Sequence, residues 1–301
     1  MRTPLVRLHL EEAPCEIWLK LENLQPIGSF KLRGAANAIL SAPRSALANG
    51  VVTTSTGNMA QGVAWMAREL RIPATIVVPD NASPAKLAAV ERMGGRIVRV
   101  PWEEWWAAVE TGEEALADDI EGLFVHPVRD DQVMAGNGTI GLELTEQLAD
   151  IDAVLIPWGG GGLTTGVASA LRALSPGTAV HVCEPETGAP VTATLANAGE
   201  PVPVEYTPSF IDGAGSGGLV PGMWERAKPL VSGSFAVTLE AAAANVKLLL
   251  ERARIVAEGA AALPVAAALA GGVEGRVVCI VSGGNIDSRR LSEILAGRVP
   301  D

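Results

Sequence analysis

The chain has 301 residues, 48% of them hydrophobic and 19% charged, which suits one large globular domain or two moderate ones and excludes a disordered chain. Its formal net charge of −11 at pH 7 sets the average surface against a phosphate backbone, so nucleic acid is not an expected partner. The 3 cysteines, Cys15, Cys183 and Cys279, form no Cys-x-x-Cys pair, as in a reducing compartment rather than a disulfide framework.

The N-terminus, MRTPLVRLHLEEAP, has no apolar core of signal-peptide length and turns acidic by Glu11. It argues against export and for the cytoplasm. Next comes QPIGSFKLRGA, residues 25–35, which sets Lys31 between Phe30 and Leu32. A lysine so flanked is either a strand residue on a wet face or an amine whose charge is suppressed for chemistry. The window alone leaves both open.

From residue 50 onward, short β-branched runs alternate with longer Ala-rich ones. Strands are predicted at 51–54, 75–78, 96–100 and 123–125, with helices at 60–70, 84–93 and 105–117 between them. A helical stretch over 134–148 follows. Further strands are predicted at 153–156, 179–183, 235–239 and 276–281, with helices near Thr165, Thr192, Ala242 and Ile286. This alternation predicts an α/β fold of two open, mostly parallel twisted sheets flanked by helices. Residues 1–44 plus 131–301 would form a large domain and 45–130 a small one. The apolar stretch 259–273 is broken by Pro264 and closed by Gly271-Gly272, too short and interrupted to span a bilayer.

Three strand-to-helix loops are unusual, and such loops gather at the active-site end of a parallel sheet. TSTGNMAQG offers Ser55, Thr56, Gly57 and Asn58 before a helix, readable as a helix cap or as a set of ligand-binding groups. IPWGGGGLTTG places Gly159, Gly160, Gly161 and Gly162 between a strand and a helix. It fits neither a dinucleotide fingerprint nor a Walker loop. It reads as a cradle of amides for an anion such as a phosphate monoester, or else as a structural turn. VSGGNID repeats the theme at Ser282. The histidines make no metal-ligand spacing, and His181-x-Cys183 reads as alternate strand positions. Trp102, Trp105 and Trp106 recur at helical spacing and read as core or as a subunit contact.

Gly28-Ser29-Phe30-Lys31-Leu32-Arg33-Gly34-Ala35, Ser55-Thr56-Gly57-Asn58, Gly159 to Gly162 and Ser282-Gly283-Gly284-Asn285 occur in this order. Together they resemble the serine/threonine dehydratase family of pyridoxal-phosphate enzymes, the fold-type II or tryptophan synthase β-like group. The likeness runs nearly end to end, through Thr3-Pro4-Leu5, His126-Pro127, Glu184-Pro185, Asp212-Gly213 and Glu258-Gly259-Ala260. It implies pyridoxal 5′-phosphate as cofactor, carried on Lys31, with the large domain binding it and the small domain presenting a substrate loop. The freed Lys31 amine would then act as general base. Gly159, Gly160, Gly161 and Gly162 would hold the phosphate, Asn58 the ring's 3′-oxygen, and Ser282 the pyridine nitrogen. Ser55, Thr56 and Gly57 would bind the carboxylate of a small-molecule amino-acid substrate. Thr56 stands where related racemases carry a serine acting on the opposite face.

The implied reaction is α,β-elimination of a β-hydroxy amino acid such as threonine or serine to a 2-oxo acid and ammonia, by a cytoplasmic homodimer. A racemase, a β-replacement synthase and a ligand sensor of the same fold are the alternatives. Two departures stand out. Met59 replaces the family's usual histidine. Of the cation-binding places in many relatives, Glu184 and Gly188 match, but the third falls on Pro190, which has no side-chain oxygen. No metal requirement is therefore expected, with Glu184 and Gly188 as residual candidates. Little chain follows Ser282 and its helix, so no appended regulatory domain is expected.

Overall fold

Val51-Val52-Thr53-Thr54 is a run of β-branched side chains, stiff at χ1 and suited to a pleated surface. All four residues are buried in the strand they form. The same logic repeats through a computed structural model that describes residues 1–82, 84–117 and 120–301. In chain order, β1 (Leu5–Arg7) and β2 (Glu16–Leu21) precede α1 (Lys31–Ser41). Then β3 (Val51–Thr54) leads to α2 (Asn58–Leu70), β4 (Ala74–Pro79) to α3 (Pro84–Arg92), and β5 (Arg96–Val100) to α4 (Trp102–Thr111). The short β6 (Leu123–Phe124) leads to α5 (Asp131–Gln147). Next, β7 (Ala153–Pro157) feeds α6 (Gly162–Leu174), and β8 (Ala179–Pro185) feeds α7 (Pro190–Ala196) and α8 (Met223–Ala227). Finally β9 (Gly233–Val237) leads to α9 (Leu239–Leu248) and α10 (Gly259–Leu269), and β10 (Arg276–Val281) to α11 (Ser288–Leu295).

The chain divides into two compact units, residues 1–29 with 138–301, and residues 30–137. The larger unit holds a six-stranded sheet in the order β1-β2-β10-β7-β8-β9. Only the β1–β2 pair is antiparallel. Strands β7 and β10 are buried on both faces, as central parallel strands are. Helix α10 packs against these strands and α9, and residues 259–268 are all buried. With apolar side chains all round, it has no amphipathic stripe to betray it as a helix. Leu263 and Val265, at 0% exposure, each contribute roughly 1.5–3 kcal/mol by burial.

The smaller unit carries a parallel four-stranded sheet, β5-β4-β3-β6, with α1 packed on α2. Residues 30–44 and 131–137, expected in the larger domain, group here with the smaller one. Close backbone approach is the reason. A Cβ on Gly136 would lie 2.3 Å from the Arg33 carbonyl oxygen, and one on Gly34 would lie 2.7 Å from Val133 Cγ1. These two glycines let α1 seat against the start of α5.

Candidate active site

In the larger unit, the carboxyl ends of β7 and β10 carry two of the glycine loops. The first runs from Trp158 through Gly162 into α6. Gly161 has φ +89°, and a Cβ there would fall 2.5 Å from the Trp158 ring, which is fully buried beneath it. A Cβ on Gly159 would meet the Gly213 carbonyl oxygen at 2.8 Å. The Trp158 ring and the Gly213 backbone therefore close on this loop, and no side chain larger than hydrogen fits at Gly159 or Gly161. In the first turn of α6, Thr164 Oγ1 and Thr165 Oγ1 are buried and make no hydrogen bond among the described residues. That turn holds no acidic side chain, so its dipole faces an anion without competition. These are the features of a phosphate cradle, and they suit pyridoxal phosphate.

Ser282, 2% exposed, closes β10. Its neighbour Gly283 forms an isolated antiparallel bridge with Ser29, and the Gly284 N–H donates to the Gly28 carbonyl at 2.9 Å. Gly28 sits at φ +71°, and Asn285 Nδ2 donates to the Ile27 carbonyl at 2.9 Å. The loop before Lys31 in the chain is thus fixed to the loop of Ser282. Asn285 is spent on this brace.

Glu184 is fully buried at the end of β8, where its carboxylate accepts the Val191 N–H at 3.0 Å, the Thr192 N–H at 2.9 Å and the Thr192 hydroxyl at 3.0 Å. It closes the first turn of α7, which begins at Pro190. Burial pushes its carboxyl up, against the pull of those three bonds. The Gly188 carbonyl accepts the Ser216 N–H at 3.2 Å. No cluster of three His, Cys, Asp or Glu able to hold a metal occurs among the described residues.

In the smaller unit, Lys31 is the first residue of α1, after the buried Phe30. It is a helix residue, so neither a wet strand face nor simple packing explains it. The positive end of a helix dipole is a poor place for a permanent cation. Its Nζ donates to the Pro127 carbonyl at 2.8 Å. Lys20, the lysine preceding it in the chain, is a structural cation with 0% exposure in the larger unit. Its Nζ is engaged by the Thr3 carbonyl at 2.9 Å, Gln147 Oε1 at 2.8 Å and the Glu143 carboxylate.

Ser55, Thr56, Gly57 and Asn58 are all half-buried at the end of β3. The cap of α2 is Gly57, with no side-chain capping bond, so the hydroxyl cluster does not serve as the helix cap. Ser55 Oγ accepts the Gly57 N–H at 3.2 Å, which folds the loop on itself. A Cβ on Gly57 would meet nothing within 4 Å, so the loop is open on that side. Met59 is 1% exposed, a packing residue.

His126, of the His126-Pro127 pair, is buried just after β6. Its ring lies at 7% exposure, with Nε2 2.9 Å from the Val109 carbonyl. Burial, aided by the Arg129 and Lys31 charges, holds its pKa down at about 4 against the bond to Val109. Unfolded, the ring titrates near 6.5. As pH falls from 6.5 toward about 4, the unfolded chain takes the proton first and the native state loses roughly 3 kcal/mol. His126→Asn should flatten the stability profile in that window. Urea midpoints measured from pH 4 to 7 check this, and an unchanged slope would reject it.

The other sequence readings fare unevenly. His181 and Cys183 do alternate along β8, and the His181 ring lies 5.5 Å from that of Phe235. Trp102 and Trp106 are 46% and 44% exposed and stack on each other, so they are not core. Trp105 packs beside Val52, Val77 and Val100. No helix among the described residues is long and apolar enough to cross a membrane.

Comparison with known proteins then bears on both halves. Residues 1–283 match the family described as pyridoxal-phosphate dependent enzyme. An L-threonine ammonia-lyase of Geobacter sulfurreducens is 40% identical over 303 residues, which is 98% of this chain and 74% of that protein. Among solved structures, maize serine racemase superposes with a TM-score of 0.87 at 30% identity, over 98% of this chain and 92% of that one. The processed threonine deaminase isoform 2 of Solanum lycopersicum gives 0.86 at 31% identity, over 99% and 88%.

Proposed function

The chain belongs to the pyridoxal-phosphate-dependent enzyme family, and from that premise we propose that it is an ammonia-lyase for a β-hydroxy amino acid, with L-threonine and L-serine as first candidates. The observation that carries this is the 40% identity, across 98% of the chain, to a relative named L-threonine ammonia-lyase. Bound pyridoxal phosphate supplies an electron sink that lets the substrate's α-proton and β-substituent leave. The chain supplies the rest.

Lys31 Nζ is the amine that would carry the cofactor and, when free, accept the α-proton. Gly159 to Gly162, at the positive end of α6, would hold the phosphate, and Asn58 would meet the ring's 3′-oxygen. Ser282 would offer a neutral hydroxyl to the pyridine nitrogen, which leaves that nitrogen largely without a proton. Ser282 would thereby favour loss of a β-hydroxyl over transamination. The loop of Ser55, Thr56 and Gly57 would take the substrate carboxylate. In this reading the larger unit would supply the phosphate loop and Ser282, and the smaller one would supply Lys31, Asn58 and the substrate loop.

The test is a panel of β-hydroxy amino acids assayed for 2-oxo acid and ammonia. A yellow protein that releases ammonia from none of them would sink the proposal in favour of a ligand sensor. A second reading follows from the Thr56 hydroxyl and the serine racemase neighbour. Thr56 would serve the opposite face of the α-carbon, and chiral chromatography of L-serine incubations would reveal D-serine.

Pro190 offers no side-chain oxygen and Glu184 and Gly188 have protein partners, so at most weak dependence on a divalent cation is expected. Chelator treatment should leave activity within about tenfold, a barrier change of ~1.4 kcal/mol. A larger loss restored by Mg²⁺ or Ca²⁺ would place the missing ligand elsewhere. The same reading expects a cytoplasmic homodimer, and light scattering on the purified protein measures the second of these.

A further inference from the structure

Pro127 and Val128 share one trans peptide, so its carbonyl and its N–H point to opposite edges. The carbonyl edge accepts Lys31 Nζ at 2.8 Å. On the other edge, the Val128 N–H donates to His126 Nδ1 at 3.0 Å, joined there by the Arg129 N–H at 3.0 Å. A ring nitrogen that accepts two N–H groups carries no proton, so the proton sits on Nε2 and goes to the Val109 carbonyl, 2.9 Å away. Arg129 Nε, 3.3 Å from that same Nε2, is then a contact between two donors. The edge of the Phe124 ring completes the surroundings, its centroid 6.1 Å from that of the imidazole. The groups that face the ring are thus Val109 from α4, Phe124 from β6, Arg129 from its own turn and the charge of Lys31.

We propose that His126 is a positioning residue for Lys31: through Nδ1 it holds the Pro127–Val128 peptide, whose carbonyl fixes where the lysine amine stands. The idea rests on Lys31 being the cofactor-carrying lysine. It adds a reason for the His-Pro pair. Proline contributes a carbonyl but no N–H, and histidine contributes an acceptor that stays unprotonated at neutral pH. Without that acceptor the peptide can rotate, and the amine loses a fixed partner whenever it is not bonded to the cofactor.

The experiment uses the wild type, His126→Leu and His126→Asn as apoproteins. Each receives pyridoxal phosphate, and capture by Lys31 is followed by absorbance and by borohydride reduction with peptide mapping. Thermal midpoints and the separate effects on kcat and KM accompany these. Asparagine can accept the N–H two residues on, as in an Asx turn; leucine cannot. Leucine should slow capture by about tenfold and lower kcat more than it raises KM, while asparagine stays within about threefold of the wild type. Equal capture rates in the two folded variants would overturn the proposal. If the leucine variant does not fold, asparagine decides alone: near-wild-type capture supports the proposal, and a loss beyond about tenfold rejects it. Label on a lysine other than Lys31 in the wild type would instead overturn the functional reading itself.

Discussion

Lys31→Ala is expected to lose turnover by at least about 10³-fold, together with its yellow colour and its borohydride-fixable label. The loss should be chemical rather than structural. Lys31 opens α1 and is half-buried, and alanine is the best helix former available to replace it. The substitution removes the bond to the Pro127 carbonyl, worth about 1 kcal/mol. The thermal midpoint should therefore fall by only a few degrees, about 2–4 °C. Lys31→Arg sharpens the test, since a guanidinium keeps the cation but offers no nucleophilic amine at neutral pH. It should be as inactive as the alanine variant. Retention of label on another lysine, in a folded Lys31→Ala protein, would reject the assignment. Lys20 is a poor candidate for that label, because it is buried and engaged by Thr3, Gln147 and Glu143.

Why Lys31 was ambiguous in the sequence is instructive. Phe30-Lys31-Leu32 has the alternation of a strand, and nothing local announces a helix start. The N-cap is Phe30, with no side-chain capping bond, so the usual Ser, Thr, Asp or Asn signal is missing. Tertiary packing sets that helix through Gly34 of α1 and Gly136 of α5, which let two helices far apart in the chain close on each other. The same blindness explains α10, whose uniformly apolar face carries no period to read. By contrast, β3, β5 and β10 are legible to the residue, because their β-branched runs end in clusters of Gly, Ser and Asn or, for β5, at Pro101.

The site divides in the same way. Its loops were legible because glycine and small hydroxyl residues at strand ends have few structural uses. The fixing contacts were not. The bonds of Glu184 to Val191 and Thr192 and those of His126 to Val128 and Arg129 depend on how the chain turns after each residue. Trp158 was likewise unreadable as the floor beneath Gly161. A tryptophan at a strand end is ordinarily just core.

That floor makes Gly161→Ala the second large effect. At φ +89° an alanine is strained wherever it sits, by roughly 1–2 kcal/mol. Its Cβ would also lie 2.5–2.7 Å from two Trp158 ring carbons. The ring cannot retreat, because it is fully buried among Val182, Val191, Trp224 and Ala227, and overpacking of that kind costs about 1–3 kcal/mol. The apoprotein should therefore lose roughly 2–5 kcal/mol, seen as a drop of about 5–15 °C in its midpoint. Affinity for pyridoxal phosphate should fall by more than about tenfold as well, since relief of the clash must move the amides proposed to face the phosphate. Gly159→Ala separates the two effects. Gly159 has no positive φ, and its obstacle is the Gly213 carbonyl oxygen at 2.8 Å. It should weaken cofactor binding by a comparable factor while costing less stability. Equilibrium dialysis of each apoprotein with pyridoxal phosphate, beside a thermal scan without it, reads both quantities. Wild-type affinity in a folded Gly161→Ala protein would mean that this loop does not hold the phosphate.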